Sequence, residues 1–154
     1  MGDNELKVIV SDRVSALEVT ISGIISELAK MDPGQIDGGR AVIIDGGGVL
    51  SINSFGVRSW VNYLEAVCDK ASSVVIRRMS PALVSQASMI SNFLAGATVE
   101  SFFTPYCCVE CGHEPLQLQQ LNDQIPDEGT CPECNGVTEF DELKESYLAF
   151  RDSA

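Results

Sequence analysis

The chain has 154 residues, 45% of them apolar and 21% charged, with a formal charge of -12. That length suits one ordinary domain with room for a small inserted module, and a chain of this size removes about 70% of its unfolded surface from water, so no disulfide staple is needed. No run approaches the roughly 18 apolar residues of a membrane span, and the acidity opposes the phosphate neutralisation that supplies nucleic-acid affinity, which leaves proteins or small ligands as the expected partners.

The amino terminus, Met1 to Leu6, is acidic and lacks both a basic leader region and the Ser or Thr at position 6 of a myristoylation signal, so the expected location is a reducing cytoplasm. Lys7 to Val10 and Ala16 to Ser22 read as two strands joined by a hairpin around Asp12-Arg13, the second alternating Leu17, Val19 and Ile21 on one face. Gly23 ends that pattern, and Ile24, Ile25, Leu28 and Met31 recur at helical spacing until Asp32-Pro33-Gly34, which predicts a short helix. Ala41-Val42-Ile43-Ile44 reads as a central strand buried on both faces, broken by a turn at Asp45-Gly46-Gly47-Gly48. Without a following Gly-Lys-Ser/Thr, those glycines are not a phosphate loop.

Val57, Trp60, Val61, Leu64, Val67 and Cys68 follow the spacing of an amphipathic helix, which makes Cys68 a small buried hydrophobe. Ser73 to Arg77 is the next strand. Ser80-Pro81 caps a third helix with the stripe Leu83, Ala87, Ile90 and Leu94, closed by Gly96, and Thr98 to Thr104 is a last strand. At Pro105 the composition changes, and to about Val137 most of the chain shows neither helical nor strand periodicity. Thr138 with Asp141 then forms a capping box for a final helix carrying Phe140, Leu143, Tyr147 and Phe150 on one face. Phe102, Phe103 and Tyr106 are expected to pack in the core and against the module.

The spacing Cys108-x2-Cys111, 19 residues, Cys131-x2-Cys134 fits a closed four-thiolate zinc site, in which each Cys-x2-Cys turn brings two sulfurs to one ion from a tight loop. Gly112 and Gly136 suit the turns. Cys107 beside Cys108 leaves an alternative register open, and His113 is a further donor that four thiolates do not require. Iron in the same ligand set, or a redox dithiol, is the alternative chemistry, and rubredoxin resemblance is confined to Cys131-Pro132-Glu133-Cys134.

Ser51-Ile52-Asn53-Ser54-Phe55-Gly56-Val57 lies between a buried strand and an amphipathic helix, where Asn53 or Ser54 caps the helix. Here the chain resembles the STAS domain family, the fold of bacterial anti-sigma-factor antagonists, whose hallmark is a strand, Asp-Ser-Ser-Gly-Leu, then a helix. The resemblance covers roughly residues 5 to 104 and 138 to 152 and includes the β-β-α-β-α-β-α-β-α order and Gly23. It implies a STAS-like mixed α/β sheet domain over 1-104 and 138-154, interrupted by a zinc-ribbon-like insertion over 105-137. It further implies a non-catalytic regulatory protein that binds a serine kinase or anti-sigma factor, with Ser54 as the phosphate acceptor in a switch loop with Asn53, Phe55 and Gly56. Asn53 stands where the family has aspartate, and Phe55 where it has a second serine.

Overall fold

In a computed structural model, residues 4–152 are described. The fold is mixed α/β, with two sheets and three helices. The first sheet contains β1 (Lys7–Asp12), β2 (Leu17–Ile25), β3 (Ala41–Ile52), β4 (Ser73–Arg77) and β5 (Thr98–Val99), and its spatial order follows the chain order. β1 runs antiparallel to β2, and the other neighbours are parallel. Helix α1 (Ser54–Lys70) connects β3 to β4, and α2 (Pro81–Met89) follows β4. The second sheet contains β6 (Ser101–Cys108), β7 (Leu116–Gln120), β8 (Glu128–Thr130) and β9 (Val137–Phe140), in the order β7-β6-β9-β8. The chain ends with α3 (Lys144–Tyr147) and a 3-10 turn over Leu148–Asp152.

Only one face of the first sheet is sealed. Leu17, Val19, Ile21, Val42, Ile44, Val74 and Ile76 are buried and join Trp60, Leu64 and Val67 of α1 and Leu83 and Val84 of α2 in one core. The alternate residues Glu18, Thr20, Asp45, Val75 and Arg77 are only half-buried. Helices therefore cover one side, and β3 is central in the sheet but is not buried on both faces as its apolar run predicts.

The expected helix over Ile24 to Met31 does not form. β2 continues through Gly23, whose φ of +96° accommodates a register shift, and Ile24 and Ile25 pair with Ser51 and Ile52. Gly23 is required because an added Cβ would lie 2.3 Å from the Glu5 carbonyl oxygen. Ladder hydrogen bonds along an unusually long β3 thus outcompete a weak helical stripe, and Leu28 is left 82% exposed.

The three glycines predicted as a turn are strand interior in β3. A Cβ at Gly46 would meet Leu83 Cδ1 at 2.7 Å, and one at Gly48 would meet the Ser22 Cβ at 2.6 Å. The residues are small because α2 and β2 approach closely.

Helix α2 stops at Met89, short of the predicted Leu94, and the chain then turns so that Phe93 stacks on Trp60 with ring centroids 5.3 Å apart. The predicted capping box at Thr138 is absent, because Thr138 is a buried residue of β9 opposite Cys108 and Gly129. The final helix is correspondingly short. Phe140, Tyr147 and Phe150 do pack inward, through edge-on contacts that link Tyr106 to Phe140 to Tyr147 and Phe102 to Phe150, whereas Leu143 is 78% exposed at the helix start. Phe102 and Tyr106 are buried as expected, and Phe103 is half-buried under the guanidinium of Arg78. Strand β6 crosses position 105 and β9 crosses position 138, so the cysteine-rich segment shares strands with the sequence on either side of it. Among the described residues, no helix is long and apolar enough to cross a membrane.

Candidate metal centre

Two tight turns, each closed by a hydrogen bond between residues four apart, carry the four cysteines. The first leaves the end of β6 and the second leads into β9, and the two have the same backbone wiring. Cys108 N–H donates to the His113 carbonyl (2.8 Å) and Gly112 N–H donates back to the Cys108 carbonyl (3.1 Å). In the second turn Cys131 N–H donates to Gly136 (2.8 Å) and Asn135 N–H to Cys131 (2.9 Å). In each turn the residue after the second cysteine is left-handed, Gly112 at φ 78° and Asn135 at φ 62°. Asparagine tolerates that region better than other non-glycine residues, and here it takes the place expected of Gly136. Gly136 has a different task, since a Cβ there would lie 2.4 Å from a Glu110 carboxylate oxygen and 3.2 Å from the Cys134 sulfur.

The opposed turns bring all four sulfurs within 4.8 Å of one another, with Cys108 to Cys134 at 3.5 Å and Cys111 to Cys131 at 3.7 Å. A tetrahedral ion bonded to sulfur at about 2.3 Å requires sulfur–sulfur edges of about 3.8 Å, so the donor set fits such an ion. Backbone amides turn toward sulfur as well, with Cys111 N–H on Cys108 Sγ and Glu133 N–H on Cys131 Sγ, both at 3.4 Å. The Cys111 amide is the leading cause of a Cys108 pKa lowered to about 6. At Cys134 an amide bond from Gly136 favours the thiolate but is outweighed by the sulfurs of Cys108 and Cys111 together with burial, which push the pKa up to about 12. The Cys108 thiolate is thus favoured and the Cys134 thiolate opposed by its sulfur neighbours, and a bound cation would offset that repulsion.

Cys107 lies outside this cluster. It occupies the alternate position on β6, half-buried, with its thiol pKa raised by burial and then by the carboxylates of Asp141 and Glu114. His113 contributes its carbonyl, and its ring is not part of the four-residue group. Cys68 is half-buried against the core, and burial raises its thiol pKa. Replacing Asn135 with glycine is expected to be neutral or to stabilise by about 0.5 kcal/mol, whereas Gly112→Val is expected to cost about 2 kcal/mol because a β-branched residue is forced into the left-handed region. Denaturant midpoints of the metal-loaded variants check the pair.

The second predicted site is the turn between β3 and α1. Asn53, rather than Ser54, is the cap: its Oδ1 accepts from Gly56 N–H at 2.8 Å. Its Nδ2 donates to a Glu27 carboxylate oxygen at 2.9 Å, and that bond holds the Glu27 pKa below the usual carboxylate range. Glu27 is the residue that sequence reasoning missed, for no local pattern links positions 26 apart. Ser54 is exposed at the first position of α1, and Phe55 beside it is 67% exposed. Gly56 sits where a Cβ would fall 2.0 Å from the Ile25 carbonyl oxygen. Gly56→Ala is therefore expected to lift the start of α1 off β2 and cost about 3 kcal/mol, read as a lower urea midpoint at unchanged slope. No protein-family model, no curated protein and no solved structure matches this chain.

Proposed function

We propose that this protein is a non-catalytic regulatory module that binds a protein partner through the Asn53–Gly56 turn and uses one structural zinc ion to build the lobe around β6 to β9. The observation that carries the reading is the pairing of a rigid turn with an exposed apolar tip. Asn53 is held by two hydrogen bonds and Gly56 is packed on β2, while Ser54 and Phe55 project from the surface between them. Rigid, exposed aromatic residues dock partners at low entropic cost.

A phosphate on Ser54 would meet the unpaired amides and positive dipole end of a 17-residue helix, and would also face the Glu27 carboxylate one residue away through Asn53. Attraction on one side and repulsion on the other suit a switch. A serine kinase or anti-sigma factor is the partner class that the resemblance to anti-sigma-factor antagonists implies. Four thiolates leave no open coordination position for a substrate, which favours zinc as scaffold over a catalytic ion.

Affinity capture with wild type, Phe55→Ala, Ser54→Asp and Met89→Ser tests the binding reading. One protein retained by wild type and Met89→Ser and lost from both turn variants supports it, and retention by Phe55→Ala overturns it. Elemental analysis of the purified protein tests the metal: one zinc per chain supports the scaffold, and iron with visible absorbance supports an electron-transfer protein instead.

A further inference from the structure

Each cross-turn pair of sulfurs joins one exposed cysteine to one buried cysteine. Cys108 is 2% exposed and lies 3.5 Å from the exposed Cys134, and Cys131 is fully buried and lies 3.7 Å from the exposed Cys111. A dissolved oxidant therefore reaches the second cysteine of each turn first, and a buried sulfur of the opposite turn lies within 3.7 Å of it. The geometry points to a peroxide-driven release switch in which Cys111 and Cys134 are the attacked residues and Cys131 and Cys108 resolve them. This inference rests on the zinc reading above.

The Cys134 thiolate attacks hydrogen peroxide, forming a sulfenic acid and releasing hydroxide as the O–O bond breaks. The Cys108 thiolate then attacks that sulfur, closing a Cys108–Cys134 disulfide and expelling a second hydroxide. Cys111 and Cys131 react in the same way with a second peroxide. Four thiolates and one zinc ion thus give two disulfides and free zinc; four electrons pass to two peroxides, and four protons convert the four hydroxides to water. Because both disulfides cross between the turns, the end of β6 stays tied to the β8–β9 hairpin after the ion leaves. Disulfides within each turn would instead leave only the β6–β9 ladder between the two halves.

The chain supplies a convenient readout, since Glu110 separates Cys108 from Cys111 and Glu133 separates Cys131 from Cys134. Zinc-loaded full-length protein carrying Cys68→Ser and Cys107→Ser is titrated with hydrogen peroxide, zinc is followed with a chromogenic chelator, and the unreduced product is denatured and cut after glutamate for mass spectrometry. The expected result is release of the whole zinc complement together with Cys108–Cys134 and Cys111–Cys131 linkages, reversed by dithiothreitol and added zinc. Linkages within each turn, sulfinic or sulfonic acids in place of disulfides, or zinc retained under excess peroxide would overturn it. Elemental analysis before oxidation separates the two readings: protein without zinc refutes the scaffold, and the disulfide map of the same reduced protein still scores the cross-turn pairing.

Discussion

Stripping the metal with a strong chelator is expected to unfold the lobe from about Tyr106 to Phe140 while the five-stranded sheet stays folded. The reason is the distribution of buried apolar surface. β7 and β8 are almost wholly exposed, and between Cys107 and Val137 the only buried side chains are Cys108, Ile125 and Cys131, two of which belong to the four-cysteine cluster. Such a segment cannot offset its own chain entropy, whereas four-thiolate zinc sites contribute on the order of 10 kcal/mol. Amide exchange in this segment should accelerate at least about a thousandfold, equivalent to roughly 4 kcal/mol of lost protection. Amides of Val42 to Ile44 in β3 should keep theirs, because their core draws on α1 and α2. Cys131→Ser should reproduce the chelator result without chelator. Loss of protection in β3 would show that the ion supports the whole fold, and no change in the lobe would show that the ion supports nothing.

The four sulfurs were legible because ligand spacing is a local property: two Cys-x2-Cys turns define the same chemistry whatever surrounds them. The left-handed residue in each turn was half legible, since glycine at position 112 signals it and asparagine at position 135 is the quieter form of the same signal. Strands β1 and β4, the Ala41–Ile44 start of β3, helix α1 and the Ser80-Pro81 start of α2 also follow from periodicity and caps. The misreadings share one cause. Gly46 to Gly48 resemble a turn when seen alone, and only the proximity of Leu83 and Ser22 makes them strand residues. Ile24 and Ile25 fit either a helix or a strand, and the partner that decides the matter lies 27 residues away in β3. Thr138 and Asp141 satisfy a capping pattern, but Thr138 is claimed by β9, whose neighbours on either side are β6 and β8. Long-range contacts overrode local preference in these three cases.

The one-sided packing of the first sheet has its own chemical logic. A cross-strand row of Ile9, Thr20, Asp45 and Arg77 runs over the uncovered face. Arg78 reaches from its left-handed backbone position to Asp45 of β3 at 3.6 Å and over the ring of Phe103 of β6 at 5.5 Å, which links the two sheets. Thr20, Asp45 and Arg77 in this row keep a helix-free face compatible with water.

Trp60→Ala is the substitution expected to damage the core most, by about 4 kcal/mol. Trp60 is fully buried, lies 5.3 Å from the Phe93 ring at an interplanar angle of 14°, and donates its indole N–H to the Phe93 carbonyl at 2.9 Å. The indole therefore does two jobs: it fills the core beneath α1, and it pins the irregular segment after α2 that periodicity reads as helix. Trp60→Phe separates them. An aromatic ring retains most of the stacking but leaves a buried carbonyl without its donor, for an expected loss of about 2 kcal/mol. For a chain of this length the two variants should melt about 10 °C and about 5 °C below wild type. Equal losses would mean that the hydrogen bond, not the volume, holds the segment; a Trp60→Phe variant as stable as wild type would mean that the Phe93 carbonyl finds water instead.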